Sequence, residues 1–176
     1  RQVLGDRHPD TLISLNNMGY LLQRMDQLDE AMPYYLEAME KKREVLGPQH
    51  PSTINGTNNM GYLLESMGRF ADALPYYEEA ARGALAVWGD VHEESLNAED
   101  SLGYLLVRLG EHDRARAVLE PALERARQAL PEGHEVRNYL MQSLISCYDA
   151  QHAADGSAGY DVLATGMRAD LAREEP

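Results

Sequence analysis

A repeat of 42 residues constrains this chain more than any other feature. The segment Leu4-Gly5-Asp6-Arg7-His8-Pro9 returns as Leu46-Gly47-Pro48-Gln49-His50-Pro51, then as Trp88-Gly89-Asp90-Val91-His92-Glu93. A faded copy is Leu130-Pro131-Glu132-Gly133-His134-Glu135. Within the unit, Asn16-Asn17-Met18-Gly19-Tyr20-Leu21-Leu22 recurs unchanged at 58–64, and becomes Asp100-Ser101-Leu102-Gly103-Tyr104-Leu105-Leu106 in the third copy. Units one and two share 20 of 42 positions, which chance does not produce at a fixed offset. Self-similarity at this period means one supersecondary unit copied and stacked, with a core shared between neighbours.

Each unit reads as two helices. Pro9 and Pro51 suit the first helical position, where no N–H is needed and φ is already set. Leu15, Met18, Leu22 and Met25 fall on one apolar stripe of helix A. Breaks are predicted at 25–29, 67–71 and 109–113, with Gly68 and Gly110 as turn residues. Helix B then runs to about Val45, Val87 and Ala129, and a Leu-Gly or Trp-Gly pair closes the first two. Pro33 and Pro75 lie in its first turn, whereas Pro121 lies deeper and predicts a bend. Gly19, Gly61 and Gly103, facing Ala31, Ala73 and Ala115, would let the two helices approach closely.

The apolar content, 44%, is that of a folded chain and leans on Leu, Ala and Met, which favour helix over strand. Net charge is −13 and grows more negative toward the C-terminus, which argues against nucleic acid. The same charge serves solubility or favours cationic partners. Cys147 stands alone, so no intrachain disulfide forms, and the expected compartment is reducing, the cytoplasm. No secretory leader and no apolar run of membrane-spanning length is present. The chain opens at Arg1 in mid-pattern, so it reads as one domain cut from a longer protein, in which a signal or anchor could lie outside it.

Catalytic chemistry is not encoded in a recognisable form. His8, His50, His92 and His134 belong to successive repeats, too far apart to share one metal ion, and read as helix caps. His112 and His152 are isolated. Cys147 has no base placed beside it in the sequence and reads as buried and inert. The Lys41-Lys42-Arg43 run suits the negative end of a helix and reads as solvated. No hydrolase, metalloprotease or phosphate-loop motif occurs, so the expectation is a non-enzyme without cofactor.

These residues resemble the tetratricopeptide repeat (TPR). Its small, apolar and aromatic series falls on Met18, Gly19, Leu22, Ala31, Tyr35 and Ala38, and equally on Met60, Gly61, Leu64, Ala73, Tyr77 and Ala80. The third unit supplies Leu102, Gly103, Leu106, Ala115, Leu119 and Ala122. The 42-residue length, the Leu-Gly-x-x-His-Pro linker and the Asn-Asn step resemble the kinesin-light-chain subtype. The resemblance implies an all-α, right-handed superhelical solenoid of antiparallel helix pairs, with repeats at 4–45, 46–87 and 88–129. Residues 130–172 read as a worn fourth pair that caps the stack, with 153–159 as its loop.

The family also implies that A helices line a concave face that binds partners. Residues off the core stripe then supply that face: Ile13, Asn16, Tyr20, Gln23 and Arg24; Asn55, Asn58, Tyr62, Glu65 and Ser66; Asn97, Asp100, Tyr104, Val107 and Arg108. Tyr20, Tyr62 and Tyr104 would form an aromatic ladder beside a polar one of Asn16, Asn58 and Asp100. Asparagine amides offer a donor and an acceptor to an extended peptide, and tyrosine gives large contact area. In a second reading the tyrosines only pack between neighbouring A helices. Tyr34, Tyr35, Tyr76 and Tyr77 fall on B helices and read as core between repeats. With only Arg24 and Arg108 basic, against Glu65 and Asp100, the face predicts a basic or neutral peptide or partner helix. The alternative role is a regulatory segment of a larger signalling enzyme. Self-association through the uncovered first A helix, 10–24, is a further expectation.

Overall fold

The computed structural model describes residues 5–174, so Leu4 of the first linker lies outside the described residues. Its elements are α1 (Pro9–Arg24), α2 (Leu28–Leu46), α3 (Pro51–Ser66), α4 (Phe70–Trp88), α5 (Glu93–Arg108), α6 (His112–Ala129), α7 (Glu135–Asp155) and α8 (Ala158–Glu174). No strand occurs among the described residues. The chain divides at 87/88, a repeat boundary, into two compact units of two helix pairs each. No described helix is long and apolar enough to cross a membrane.

Every A helix starts the same way. His8, His50, His92 and His134 hold extended backbone, and each Nδ1 accepts the backbone N–H two residues on, at 3.1–3.3 Å. An unprotonated ring nitrogen thus satisfies one of the donors that a helix start leaves without a partner. The first three pairs also turn alike. Asp26, Gly68 and Gly110 sit at one register with φ of +60°, +73° and +76°. Glycine adopts that left-handed backbone without penalty, and aspartate is among the few residues that tolerate it.

The fourth pair departs from this register, and the expected 153–159 loop shrinks to Gly156 and Ser157. The position that should turn is His152, which carries a side chain, and Ala153 and Ala154 favour helix. So α7 continues to Asp155 and stops at Gly156, φ +69°, whose N–H donates to the His152 carbonyl at 2.8 Å. Helix α6 runs unbroken past Pro121 to Ala129.

Within the first unit, α1 buries Thr11, Leu12, Leu15 and Gly19, so the apolar stripe is rotated from the expected one. Met18 and Met25 are exposed. At the Met18 register in α3, Met60 is only 2% exposed and packs with Ala31, Tyr35 and Met39 of α2. That surface buries only where a preceding B helix covers it, and α1 has none among the described residues. Tyr35 and Tyr77 are core, while Tyr34 and Tyr76 are half-buried at its edge.

The glycine pairing also differs from expectation. The nearest atoms to Gly19, Gly61 and Gly103 belong to Tyr35, Tyr77 and Leu119, not to Ala31, Ala73 and Ala115. A Cβ on Gly103 would stand 2.3 Å from Leu119 Cγ. Alanine gains about 1 kcal/mol of helix propensity over glycine, but overpacking a core costs about 1–3 kcal/mol. With the contact this close, the upper end of that cost applies, and Gly103→Ala should destabilise by up to about 2 kcal/mol net in urea unfolding. In a Leu119→Ala background the clash is gone and the same change should become neutral or stabilising. An equal loss in both backgrounds would remove this contact as the cause.

Candidate functional site

In the first unit the A-helix face is a cross-linked frame. Asn16 Oδ1 accepts from Asn59 Nδ2 at 3.1 Å and lies 3.4 Å from Lys42 Nζ. Gln23 uses both ends of its amide: Oε1 accepts from the Tyr35 hydroxyl at 3.0 Å, and Nε2 donates to Ser66 Oγ at 3.0 Å. Glu65 Oε2 accepts from the Tyr77 hydroxyl at 2.8 Å. These bonds tie α1 to α2, α1 to α3 and α3 to α4. Asn16, Gln23 and Glu65 therefore have part of their capacity committed inside the protein.

Two large rings rise from this frame. Tyr20 and Tyr62 hold the same register on α1 and α3, and each is 53% exposed. Ile13, Arg24, Asn55 and Ser66 are also exposed. The Tyr35 phenol is pushed up to about 12, chiefly by burial and further by the neighbouring Tyr20 and Tyr62. Asn58 is half-buried, and its Oδ1 is shielded from water without a hydrogen-bond partner.

In the second unit the corresponding side chains sit deeper. Asp100 Oδ1 is buried and accepts no hydrogen bond, while Ser143 bonds the same carboxyl. Burial outweighs that bond and raises the Asp100 pKa to about 6. Arg108 Nη1 donates to the Tyr104 hydroxyl at 3.1 Å, and the guanidinium lies 5.9 Å from that ring's centre. Tyr104, Asn97 and Val107 are half-buried, and Arg108 is exposed.

The charged run 41–43 predicts Lys42 in solvent, but it is 6% exposed. Its stem passes Gly56, where a Cβ would meet Cδ at 3.6 Å and Nζ at 3.7 Å. Desolvation lowers its pKa. The repeat carried the signal: Ala84 and Ala126, at the same register, are fully buried. Its neighbours do meet charge, Lys41 pairing with Glu37 at 2.9 Å and Arg43 with Glu79 at 2.6 Å. Asn59 and Ser143 are the other polar residues of the face that the register argument passed over.

Cys147 is free and fully buried, and burial pushes its thiol up to about 11, far from a reactive thiolate. Tyr148 beside it is buried, stacks on Tyr160 and donates to Glu120 at 2.9 Å. Among the described residues no three His, Cys, Asp or Glu side chains gather in a way that could hold a metal ion.

The chain matches the tetratricopeptide repeat profile over residues 10–86 and again over 56–128. No curated protein sequence matches it. A crystal structure of BtubC (BKLC) from P. vanneervenii superposes with a TM-score of 0.77 at 23% identity, covering 94% of this chain and 66% of that one. This chain thus spans just under two thirds of that protein's length. The Podosopora anserina putative kinesin light chain with nearly identical TPR-like repeats gives 0.81 at 19% identity, covering 99% of this chain and 81% of that one. A point variant of the same Podosopora anserina protein gives 0.82 at 19% identity, with 98% and 80% covered. Identities this low speak to fold alone, and the fold, similar to that of a putative kinesin light chain, agrees with the profile: the chain belongs to the tetratricopeptide repeat family, an all-α helical-repeat solenoid.

Proposed function

We propose that this chain binds a peptide or partner helix on the face of its A helices. TPR repeats are generally protein–protein interaction modules, typically non-enzymatic scaffolds. One observation carries the reading: Tyr20 and Tyr62 stand half-exposed at equal register on helices joined to each other by side-chain hydrogen bonds. A large ring on a rigid base loses little entropy on contact, which is why tyrosine is enriched where binding energy concentrates. Around them, Arg24, Asn55 and Asn58 complete the first unit's surface, with the remaining capacity of Asn16, Gln23 and Glu65. Asp100, Tyr104 and Arg108 supply that of the second. The mixed lining favours a basic or neutral peptide, and the lone free cysteine favours a cytoplasmic setting.

The test is a partner recovered by co-purification and titrated against Tyr20→Ala/Tyr62→Ala. The double change should weaken binding by about 2 kcal/mol, roughly 30-fold, with helicity unchanged. Unchanged affinity with intact helicity would sink the proposal.

A further inference from the structure

The second unit holds a recess that the A-helix face does not use. It encloses about 290 Å³ where three helix ends meet, lined by Arg127, Glu132, Arg137, Asp170 and Arg173. Arg127 comes from the last turn of α6, Arg137 from the first turn of α7, and Arg173 from the last turn of α8. In a chain of net charge −13, three arginines and two carboxylates line it among the described residues. Arg137 is 7% exposed, with Nη1 3.4 Å from the Leu130 carbonyl. Asp170 is a loose counter-ion, 3.6 Å from Arg127 and 3.4 Å from Arg173. A charge-assisted hydrogen bond is shorter than these two distances, so a better-placed anion can take the position that Asp170 holds.

We infer that this recess takes the phosphate group of a compact phosphorylated ligand. Arginines from three different helices line one recess, a set of donors that a tetrahedral anion, with oxygens facing several ways, can use more fully than a planar carboxylate. Arginine forks also match phosphate oxygens two at a time. On binding, the phosphate displaces Asp170 from the two guanidiniums it holds loosely. The site lies wholly within the second unit and is independent of the peptide-binding reading.

Inorganic phosphate titrated into the whole chain, against sodium chloride at matched ionic strength and followed by calorimetry and amide NMR, tests this. Saturable binding is expected, with shifts clustered at 127–137 and 168–173. Arg127→Ala and Arg173→Ala should each weaken it about tenfold, the loss expected for one charge-assisted hydrogen bond. Arg137→Lys keeps the charge but loses the fork, and should weaken it too, with circular dichroism confirming that the chain stays folded. Asp170→Asn should tighten binding several-fold, because it removes the competing carboxylate. Phosphoserine and a neutral phosphoserine peptide are then compared, and whichever binds tighter identifies the source of the phosphate. An ordinary ion-pair network predicts the opposite: no saturation beyond chloride, no arginine dependence, and no gain from Asp170→Asn. Any of those three results overturns the proposal.

Discussion

Asp100→Asn should stabilise this protein by about 3 kcal/mol at pH 7.5 and hardly at all near pH 4. The folded-state carboxyl titrates at about 6 against an ordinary value of 3.8, and each tenfold change in proton affinity is worth about 1.36 kcal/mol. The sign follows from proton counting. Between about pH 4 and 6 the folded chain still holds a proton that the unfolded chain has released. Stability therefore falls as pH rises through that window, and the loss is complete above the folded value. Asparagine carries no charge to desolvate, and the Ser143 hydroxyl can still donate to its carbonyl. The repeat supports the substitution, since Asn16 and Asn58 occupy the same register. Urea unfolding at the two pH values checks it. An equal gain at both would show that ionisation of Asp100 is not the source.

The second large effect lies in the same unit, at Arg125. Its Nη2 lies 2.8 and 3.0 Å from the two Glu99 oxygens, Nη1 donates to the Asp90 carbonyl at 2.9 Å, and Nε to the Pro121 carbonyl at 3.1 Å. One guanidinium thus joins α5, α6 and the linker between the second and third repeats. The Glu99 side chain is 10% exposed, and desolvation raises its pKa even with the arginine present. Arg125→Ala leaves that carboxylate buried alone and should cost about 3 kcal/mol, the lower end for a broken buried pair. Here too the repeat offers the control. Thr57 stands at the Glu99 register and Gly83 at the Arg125 register, so the second repeat has neither charge. Adding Glu99→Thr to Arg125→Ala should recover most of the loss in denaturant titration. A double variant as unstable as the sum of the singles would show that the two groups do not couple.

Much of this architecture was legible because the repeat compares the chain with itself. Helix starts, helix ends and the histidine caps follow from a motif seen four times. The misreadings occur where one copy differs from its neighbours or where contact lies across helices. Met18 belongs to the same sequence motif as Met60, yet it is exposed because burial at that register depends on a preceding helix. The charged neighbours of Lys42 direct it to solvent, although its register partners are buried alanines. The overlong α7 follows from the missing glycine at position 152. On the candidate face, register alone identified Tyr20 and Tyr62 as a pair. It could not show that Gln23 and Glu65 are engaged by buried tyrosine hydroxyls, because those bonds depend on how A and B helices approach.

Cys147 has a practical consequence for following this molecule in solution. Its sulfur is sealed in the second unit, with the thiol held well above the pH of ordinary coupling chemistry. The native chain is in effect a cysteine-free background for maleimide labelling. A cysteine introduced at an exposed position such as Arg24 or Asn55 would take a fluorophore or spin label selectively. Pairs of such labels would report distances along the A-helix face, with and without a bound peptide.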